Sequence, residues 1–166
     1  MRWSWKSTIW KLLSEKLNKT FVDLDKYIES KLNLKLRKYI QDNSWEDFRK
    51  LENEYLNEIF ENNSNFILSL WWWTITFEEN RKILKTEKNI LVYLYSDINE
   101  IISRICEDEA NWNNRTSLTW KNVLDEITNI YNQRKEIYEE NFHIKITNND
   151  VDETINNLII NLKEYE

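Results

Sequence analysis

The stretch "FILSLWWWTITF", residues 66–77, is the longest largely apolar run in the chain, and it places Trp71, Trp72 and Trp73 side by side. Successive residues of a helix turn by about 100°, so on a helix the apolar side chains of this run would cover nearly the whole circumference. A helix that is apolar all round belongs inside a bundle. The run therefore predicts a central buried helix with Trp71 as its best-packed residue, and a ligand platform or a membrane wedge is the alternative.

Two segments before this run combine a capping sequence with helical periodicity. Thr20 with Asp23, and Ser44 with Asp47, place an acid three residues after a hydroxyl. Such a pair satisfies two backbone N–H groups at the start of a helix. Apolar residues then recur at spacings of three and four. We therefore expect amphipathic helices that begin at these two pairs.

The second half of the chain gives a similar pattern. An apolar stripe predicts a long helix near residues 78–109, and Ser117 can cap a helix that runs to about residue 141. Asp150 with Glu153 opens a final helix. Only "NILVYLYS", residues 89–96, and "FHIKITNN", residues 142–149, alternate in the way that is typical of strands.

These patterns predict an all-α fold: a single-domain bundle of about six or seven helices around the central apolar helix 66–77. Residues 1–166 would form one helical domain, because no linker divides the chain. The two alternating segments keep an α+β fold open as the minority alternative.

The composition is unusual, because the chain has no glycine and no proline but has nine tryptophans. Average usage would give about a dozen glycines and about eight prolines. A strongly AT-rich genome lowers glycine and proline but fits badly with nine tryptophans. An artificial helical sequence from which the helix breakers were removed directly explains why both glycine and proline are absent. The composition favours the artificial origin, in which case no evolved function need exist.

The residues that catalysis needs are scarce. His143 is the only histidine, and Glu140 before it forms half of the Glu-x-x-His pairs that di-iron bundles use twice. Cys106 is the only cysteine, which excludes an internal disulfide and a cysteine metal cluster. Without glycine, a glycine-rich loop that holds phosphate is excluded. We therefore predict no catalytic, cofactor-binding or metal-binding residues, no cofactor, and a protein that is not an enzyme.

The charge distribution limits the classes of partner that the chain can bind. A net charge of -6 and a pI near 5.1 disfavour nucleic acid, whose binding depends on phosphate contacts. Residues 1–19 are different, because they carry a balance of +4 and several tryptophans. Basic residues beside tryptophan are typical of helices that lie at a membrane surface. The candidate residues for a protein interface or a lipid contact are Trp3, Trp5, Lys6, Trp10, Lys11 and Lys16.

The sequence alone thus predicts a non-catalytic helical protein with a structural or protein-interaction role. Peripheral binding to anionic membranes through residues 1–19 is the alternative. The partner is an unknown protein or none, and the oligomeric state stays open. The apolar run 66–77 is too short to span a membrane, which takes about 20 residues. The single cysteine suits the cytoplasm or another reducing, soluble setting if the sequence is natural.

Overall fold

The structure of the chain is a computed structural model that describes residues 6–71, 73–100, 128–129, 132, 135–147 and 150–165. Contacts between Cα atoms divide it into two compact units. The first is Ser7–Asn89, and the second combines Met1–Lys6 with Ile90–Glu166. Each unit is described by itself below. That residues 1–166 form a single domain stays a prediction.

The first unit alternates helices with two strands. Its elements are α1 (Lys6–Lys16), β1 (Thr20–Asp23), α2 (Leu24–Leu32), α3 (Leu36–Asp42), α4 (Trp45–Asn62), β2 (Phe66–Ser69), a 3₁₀ turn (Thr74–Thr76) and α5 (Glu78–Leu84). β1 and β2 pair in parallel, in a register that runs from Thr20–Phe66 to Asp23–Ser69. Parallel strands need a crossover connection. Here α2, α3 and α4 provide it.

The predicted central helix 66–77 is wrong. Phe66–Ser69 is strand β2, and after Leu70 and Trp71 the described chain continues as a short 3₁₀ turn. Strands of parallel sheets are covered on both faces and read as continuous apolar runs, so hydropathy alone does not separate them from a buried helix. Within the same run Trp71 is only half-buried, whereas Thr74 and Ile75 are buried. Trp71 is therefore not the best-packed residue.

The two capping sequences before this run have different outcomes. Thr20–Asp23 is strand β1 and not the start of a helix, and Asp23 instead caps α2 by accepting from the backbone N–H of Lys26 at 3.3 Å. The capping box at the start of α4 is confirmed. The backbone N–H of Asp47 donates to Ser44 Oγ at 3.1 Å, and the backbone N–H of Ser44 donates to Asp47 Oδ2 at 3.3 Å.

The second unit contains β3 (Val92–Tyr95), β4 (Ile144–Thr147), α6 (Val151–Leu162) and a 3₁₀ turn (Lys163–Tyr165). β3 and β4 pair in parallel, from Val92–Ile144 to Tyr95–Thr147. Both alternating segments are thus strands, and the long helix predicted near residues 78–109 is wrong. The final helix is confirmed, and Asp150 caps it by accepting from the backbone N–H groups of two residues in its first turn. Most of the helix predicted after Ser117 lies outside the described residues.

Each unit has its own apolar core. The buried residues of the first unit include Ile9, Leu13, Leu24, Ile28, Phe48, Leu56, Ile59, Ile75 and Leu84. Those of the second include Leu91, Ile144, Ile146, Ile155 and Leu158. Two parallel strand pairs, the first of which is connected through α2, α3 and α4, define an α/β fold, so the all-α bundle is wrong. Within the described residues, no helix is both long and apolar enough to cross a membrane.

Three described residues have left-handed backbone conformations, and all three are asparagines. Asn18, Asn33 and Asn65 have φ angles of 51°, 49° and 58°. Glycine is the usual residue for this conformation, and asparagine tolerates it better than most others. The chain therefore uses asparagine at these turns in place of glycine.

Candidate active site

The carboxyl ends of β1 and β2 form one edge of the first sheet. β1 ends at Asp23 and β2 ends at Ser69, and the two residues lie opposite each other. The Ser69 side chain is buried, and within the described part of the chain its hydroxyl has no hydrogen-bond partner. Ligands of open α/β sheets bind in the crevice outside the carboxyl ends of the strands. This edge is therefore the candidate site.

The first turn of α1 meets this edge. Ser7 Oγ donates a hydrogen bond to Asp23 Oδ2 over 3.2 Å. Ser7 belongs to the sequence Lys6-Ser7-Thr8, which matches the Lys and Ser/Thr positions of the phosphate-binding motif G-x-x-x-x-G-K-[ST]. In that motif the hydroxyl is a magnesium ligand, and the start of the following helix favours phosphate. The edge therefore combines an anion-binding helix start with a carboxylate.

The Ser7 hydroxyl and the Asp23 carboxylate fit a magnesium ion, because Mg²⁺ prefers oxygen ligands and is usually held by one or two carboxylates together with substrate phosphates. The motif fits less well one residue earlier. Trp5 stands where G-x-x-x-x-G-K-[ST] has glycine directly before lysine. The motif needs glycine there so that backbone N–H groups can approach the phosphates. The metal ligands are therefore present, but the sequence does not fit a phosphate cradle.

Behind the edge lies a buried polar network centred on Glu52 of α4, which is 1% exposed. Thr74 Oγ1 donates to Glu52 Oε1 at 2.7 Å, and Asn80 Nδ2 donates to Glu52 Oε2 at 2.9 Å. Asn80 also donates to the backbone carbonyl of Thr74 at 3.1 Å. Burial raises the pKa of Glu52 to about 7, against the lowering effect of the two hydrogen bonds. Glu52 therefore ties α4 to the turn after β2 and to α5.

Two charged residues act on the Glu52 carboxyl from the same region. After burial and the hydrogen bonds, the charge of Asp25 raises the pKa of Glu52 and that of Arg49 lowers it. Asp25 lies in the first turn of α2, two residues after Asp23. Arg49 is exposed, and its guanidinium carbon lies 3.7 Å from the centre of the Phe77 ring, a cation–π contact. A cation and a second carboxylate thus act on Glu52, and the carboxylate belongs to the residue two positions after Asp23.

An aromatic cluster joins the start of α4 to the segment after β2. The rings of Trp45 and Trp73 stack with their centres 5.5 Å apart, and Trp71 lies 6.4 Å from Trp73. Phe48 contacts both Trp45 and Trp71 edge-on, at 6.0 and 5.9 Å. Trp45 is nevertheless 45% exposed. Large side chains therefore occupy the segment that directly follows the carboxyl end of β2.

The six residues predicted as an interface are described only in part. Trp3 and Trp5 lie outside the described residues, and Lys6 is the first residue of α1. Trp10 is 8% exposed and lies on the buried side of α1, whereas Lys11 and Lys16 are exposed. The contact of this segment with a protein or a lipid surface stays a prediction.

Sequence reasoning missed Ser7, Asp23 and Glu52. The signal for Ser7 is the Lys-Ser-Thr sequence at the start of a helix, which the exclusion of glycine-rich phosphate loops left unexamined. The signal for Glu52 was a charge four residues after Phe48 and four before Leu56, on the buried face of α4. No local signal places Asp23, because its role depends on the pairing of β1 with β2.

The described residues combine parallel strands joined by a helical crossover, a Lys-Ser-Thr sequence at a helix start and a carboxylate at the adjacent strand end. These features define an α/β phosphotransferase of the P-loop nucleotide-kinase class. Comparison with known proteins identifies the family within this class. A sequence model described as "Shikimate kinase" matches residues 4–163. The chain belongs to the shikimate kinase family.

Individual relatives agree with this assignment. The chain is 31% identical over 163 residues to a shikimate kinase of Dictyoglomus turgidum, covering 97% of this chain and 92% of the relative. It is 34% identical over 154 residues to one of Bacillus cereus, covering 92% and 88%. Among solved structures, shikimate kinase from Acinetobacter baumannii in complex with shikimate has a TM-score of 0.83 and 25% identity, covering 98% of this chain and 89% of that chain. The shikimate kinase of Bacteroides thetaiotaomicron, at 20% identity and the same TM-score, supports the fold.

Family membership corrects the functional predictions. Shikimate kinases are phosphotransferases, so the prediction that the chain is not an enzyme is wrong. The non-catalytic structural role is wrong for the same reason, and its membrane-binding alternative is not retained as the function. The all-α fold class is contradicted by the solved structures as well as by the strand pairing.

Proposed function

We propose that this chain transfers the terminal phosphoryl group of a nucleoside triphosphate to shikimate. The observation that carries the proposal is the contact between Ser7 and Asp23 at the carboxyl edge of β1 and β2, in a chain of the shikimate kinase family. The structural relative solved with shikimate supports the choice of acceptor. Under this proposal the partners are small molecules, and the site of action is the cytoplasm, where nucleoside triphosphates are available.

The nucleotide side of the site uses the start of α1. Ser7 and Asp23 would hold Mg²⁺, which neutralises charge on the transferred phosphoryl group when it is bound. The backbone N–H groups in the first turn of α1 have no partners within the helix, and the positive end of the helix dipole lies there. Both features favour a phosphate at this position. Lys6 directly precedes Ser7 at the position of the phosphate-contacting lysine of the motif.

The acceptor side uses Asp25 and Arg49. Shikimate is a carboxylic acid with three hydroxyl groups, so its recognition needs a cation for the carboxylate and acceptors for the hydroxyls. Arg49 supplies the cation, and its contact with the Phe77 ring orients the guanidinium. Asp25 accepts the proton of the reacting hydroxyl. The hydroxyl oxygen bonds to the γ-phosphorus, the bond from that phosphorus to the bridging oxygen breaks, and the nucleoside diphosphate leaves.

Glu52 is a positioning residue in this scheme. It is buried, and its two oxygens hold Thr74 and Asn80. Those contacts fix the segment between β2 and α5, which borders the edge where the substrates meet. Catalytic groups must be held to within a fraction of an ångström, so a buried network of this kind contributes to rate without touching the substrate.

The test is a phosphorylation assay with shikimate, ATP and Mg²⁺, read by mass spectrometry of the acceptor and by release of ADP. We expect phosphorylated shikimate, and ADP release that depends on shikimate. Arg49→Gln should raise the KM for shikimate about tenfold or more while leaving the KM for ATP nearly unchanged, because a charge-assisted hydrogen bond contributes about 1.5–3 kcal/mol.

The matched control is Lys50→Gln, the next residue along α4. Lys50 is also exposed, and its ammonium pairs with Glu46 at 2.9 Å, one helical turn away. Removing that surface pair should leave both KM values unchanged. ADP release without phosphorylated shikimate, or an equal effect of the two substitutions, would refute shikimate as the acceptor.

A further inference from the structure

The presence of nine tryptophans and the absence of glycine in this chain are related, because tryptophan stands where the phosphate-binding motif needs glycine. The motif that contains Lys6 and Ser7 needs glycine directly before the lysine, and Trp5 stands there. Glycine serves this position because it has no side chain and lets the backbone approach the phosphate closely. Tryptophan has the largest side chain of all. The residue at position 5 is therefore the opposite of the one that the chemistry requires.

Bulky residues in place of small ones also follow β2, the second strand of the candidate site. Trp71, Trp72 and Trp73 begin two residues after the carboxyl end of β2, where the backbone borders the ligand crevice of an α/β sheet. Trp71 and Trp73 are half-buried, and the ring that stacks on Trp73 is the exposed Trp45. The residue directly before Lys6 and the residues directly after β2 are thus bulky at sequence positions where a ligand needs room.

The turns of the chain show that selection on backbone shape still operates. Asn18, Asn33 and Asn65 occupy the left-handed conformations, and asparagine is the natural second choice after glycine there. Selection that places asparagine correctly at three turns would not also place tryptophan at a phosphate loop. The tryptophans therefore have a different origin from the asparagines.

We propose that glycine occupies the nine tryptophan positions in the protein that the source cell makes, because their codon is UGA and that cell reads UGA as glycine. UGA differs by one base from UGG, the tryptophan codon, and by one base from GGA, a glycine codon. It is a stop codon in the standard code and is reassigned to tryptophan in some lineages and to glycine in others. Suppose that a gene comes from a lineage that reads UGA as glycine. If it is translated with the code that reads UGA as tryptophan, the resulting sequence has tryptophan at every glycine that UGA encodes.

One change of decoding accounts for the composition and for the site together. It turns zero glycines and nine tryptophans into nine glycines, close to the roughly one dozen expected for this length. It restores glycine before Lys6 and in the segment after β2. The need for glycine at these loops rests on the proposed function, but the identity of the residue can be measured without any activity.

The first experiment reads the residue directly. The nine codons of the gene are sequenced, and the protein is purified from the source cells, digested with trypsin and analysed by mass spectrometry. Cleavage after Lys50 and Arg81 gives one peptide that contains positions 71, 72 and 73. We expect UGA at all nine codons and glycine in the peptide. UGG codons, or tryptophan in that peptide, would overturn the inference.

The second experiment compares two full-length chains made from synthetic genes, one with tryptophan and one with glycine at the nine positions. We expect the glycine form to gain about 100-fold or more in kcat/KM for ATP, since a misplacement of about 1 Å in an active site already costs that much. A chain with glycine only at positions 3, 5, 71, 72 and 73 should recover most of the gain. The matched control, with glycine only at positions 10, 45, 112 and 120, should not.

These outcomes separate the inference from the proposed function. Equal binding of Mg²⁺-ATP and equal turnover by the tryptophan and glycine forms would count against the inference. Glycine in the tryptic peptide, together with a glycine form that binds Mg²⁺-ATP but does not phosphorylate shikimate, would support the inference and refute the acceptor. A form with glycine that phosphorylates shikimate supports both.

Discussion

The two strand pairs of this protein have the same backbone and different chemistry at their ends. β1–β2 and β3–β4 are both parallel and both join four residue pairs. The first ends at Asp23 and Ser69, where the hydroxyl of Ser7 reaches the carboxylate. The second ends at Tyr95 and Thr147. Strand pairing therefore creates an edge, but the side chains at the carboxyl ends decide whether that edge holds phosphate and metal.

The polar groups of the second pair are used for structure. His143 Nδ1 accepts a hydrogen bond from the backbone N–H of Leu91 at 2.9 Å, and its backbone N–H donates to the carbonyl of Leu91 at the same distance. The Tyr93 ring stacks on Tyr138 with centres 5.0 Å apart and nearly parallel planes. His143, whose spacing from Glu140 matches half of a di-iron site, thus connects the starts of β3 and β4.

The largest difference in activity is expected between substitutions at the carboxyl ends of the two strand pairs. Both substitutions are made in the form of the protein that has glycine at the nine tryptophan positions. Asp23→Asn should lower kcat/KM about 1,000-fold, because a bound metal ion supplies several kcal/mol of transition-state stabilisation and each factor of ten corresponds to about 1.4 kcal/mol. Thr147→Val, at the end of the second pair, should change kcat/KM less than twofold. Steady-state kinetics with ATP and shikimate measure both. Similar losses would mean that the first edge is not the reaction site.

The next contrast concerns the two cores. Leu56 and Leu158 are fully buried, one in each unit. Each Leu→Ala substitution should lower the free energy of unfolding by about 2–5 kcal/mol, through lost burial and the cavity that remains. Differential scanning calorimetry should show one transition that moves down in both variants if residues 1–166 form a single domain. Two transitions, each moved by only one substitution, would refute the single domain.

A smaller contrast concerns two groups whose pKa is raised by burial, Glu52 to about 7 and Tyr93 to about 12. A raised pKa gives stability that is fully present below the unfolded value and is lost as pH rises through the folded value. For Glu52, relative to Glu52→Gln, we expect a loss of about 2–3 kcal/mol between pH 4.5 and 7. For Tyr93, relative to Tyr93→Phe, the loss should begin only above pH 10.

Urea denaturation at a series of pH values measures the difference between each variant and the parent protein. Glutamine suits the Glu52 site, because its amide can still accept from one neighbour and donate to the Thr74 hydroxyl. Comparing each variant with the parent cancels the opposite slope from carboxyls such as Glu29, whose pKa is lowered despite burial by the side chain of Lys35 and the backbone of Leu36. A difference that is constant from pH 4.5 to 7 would mean that folding does not raise the pKa of Glu52.

The smallest contrast compares the two helix caps. Ser44→Ala and Asp150→Ala should each lower the free energy of unfolding by about 1 kcal/mol, because each leaves backbone N–H groups of a first helical turn without a partner. Chemical denaturation measures both. Gln41→Ala, at an exposed position of α3 shortly before the first cap, is the control for a substitution in this region. A cap substitution without effect would show that water replaces the side chain there.

The sequence by itself determined the features that depend on neighbours a few residues apart. The capping box of α4 and the cap of α6 join residues two or three apart, so the spacing of Ser44, Asp47 and Asp150 predicted both helix starts. The same spacing at Thr20 and Asp23 belongs to strand β1. The alternation in residues 89–96 and 142–149 indicated β3 and β4 only as the minority alternative, because the apolar stripe favoured a helix over residues 78–109. Lys6-Ser7-Thr8 is an equally local signal, but it was not recognised, because the absence of glycine excluded a phosphate-binding loop.

Only the tertiary structure decided what the apolar run became and where the site lies. Phe66–Ser69 satisfies its backbone hydrogen bonds as a strand because β1 is available as a parallel partner, and that pairing crosses three helices. The same pairing brings Asp23 beside Ser69, and folding brings Glu52 to Thr74 and Asn80. Local periodicity carries no information on contacts of such long sequence separation, because the free energy that selects them comes from burial and hydrogen bonding between distant segments.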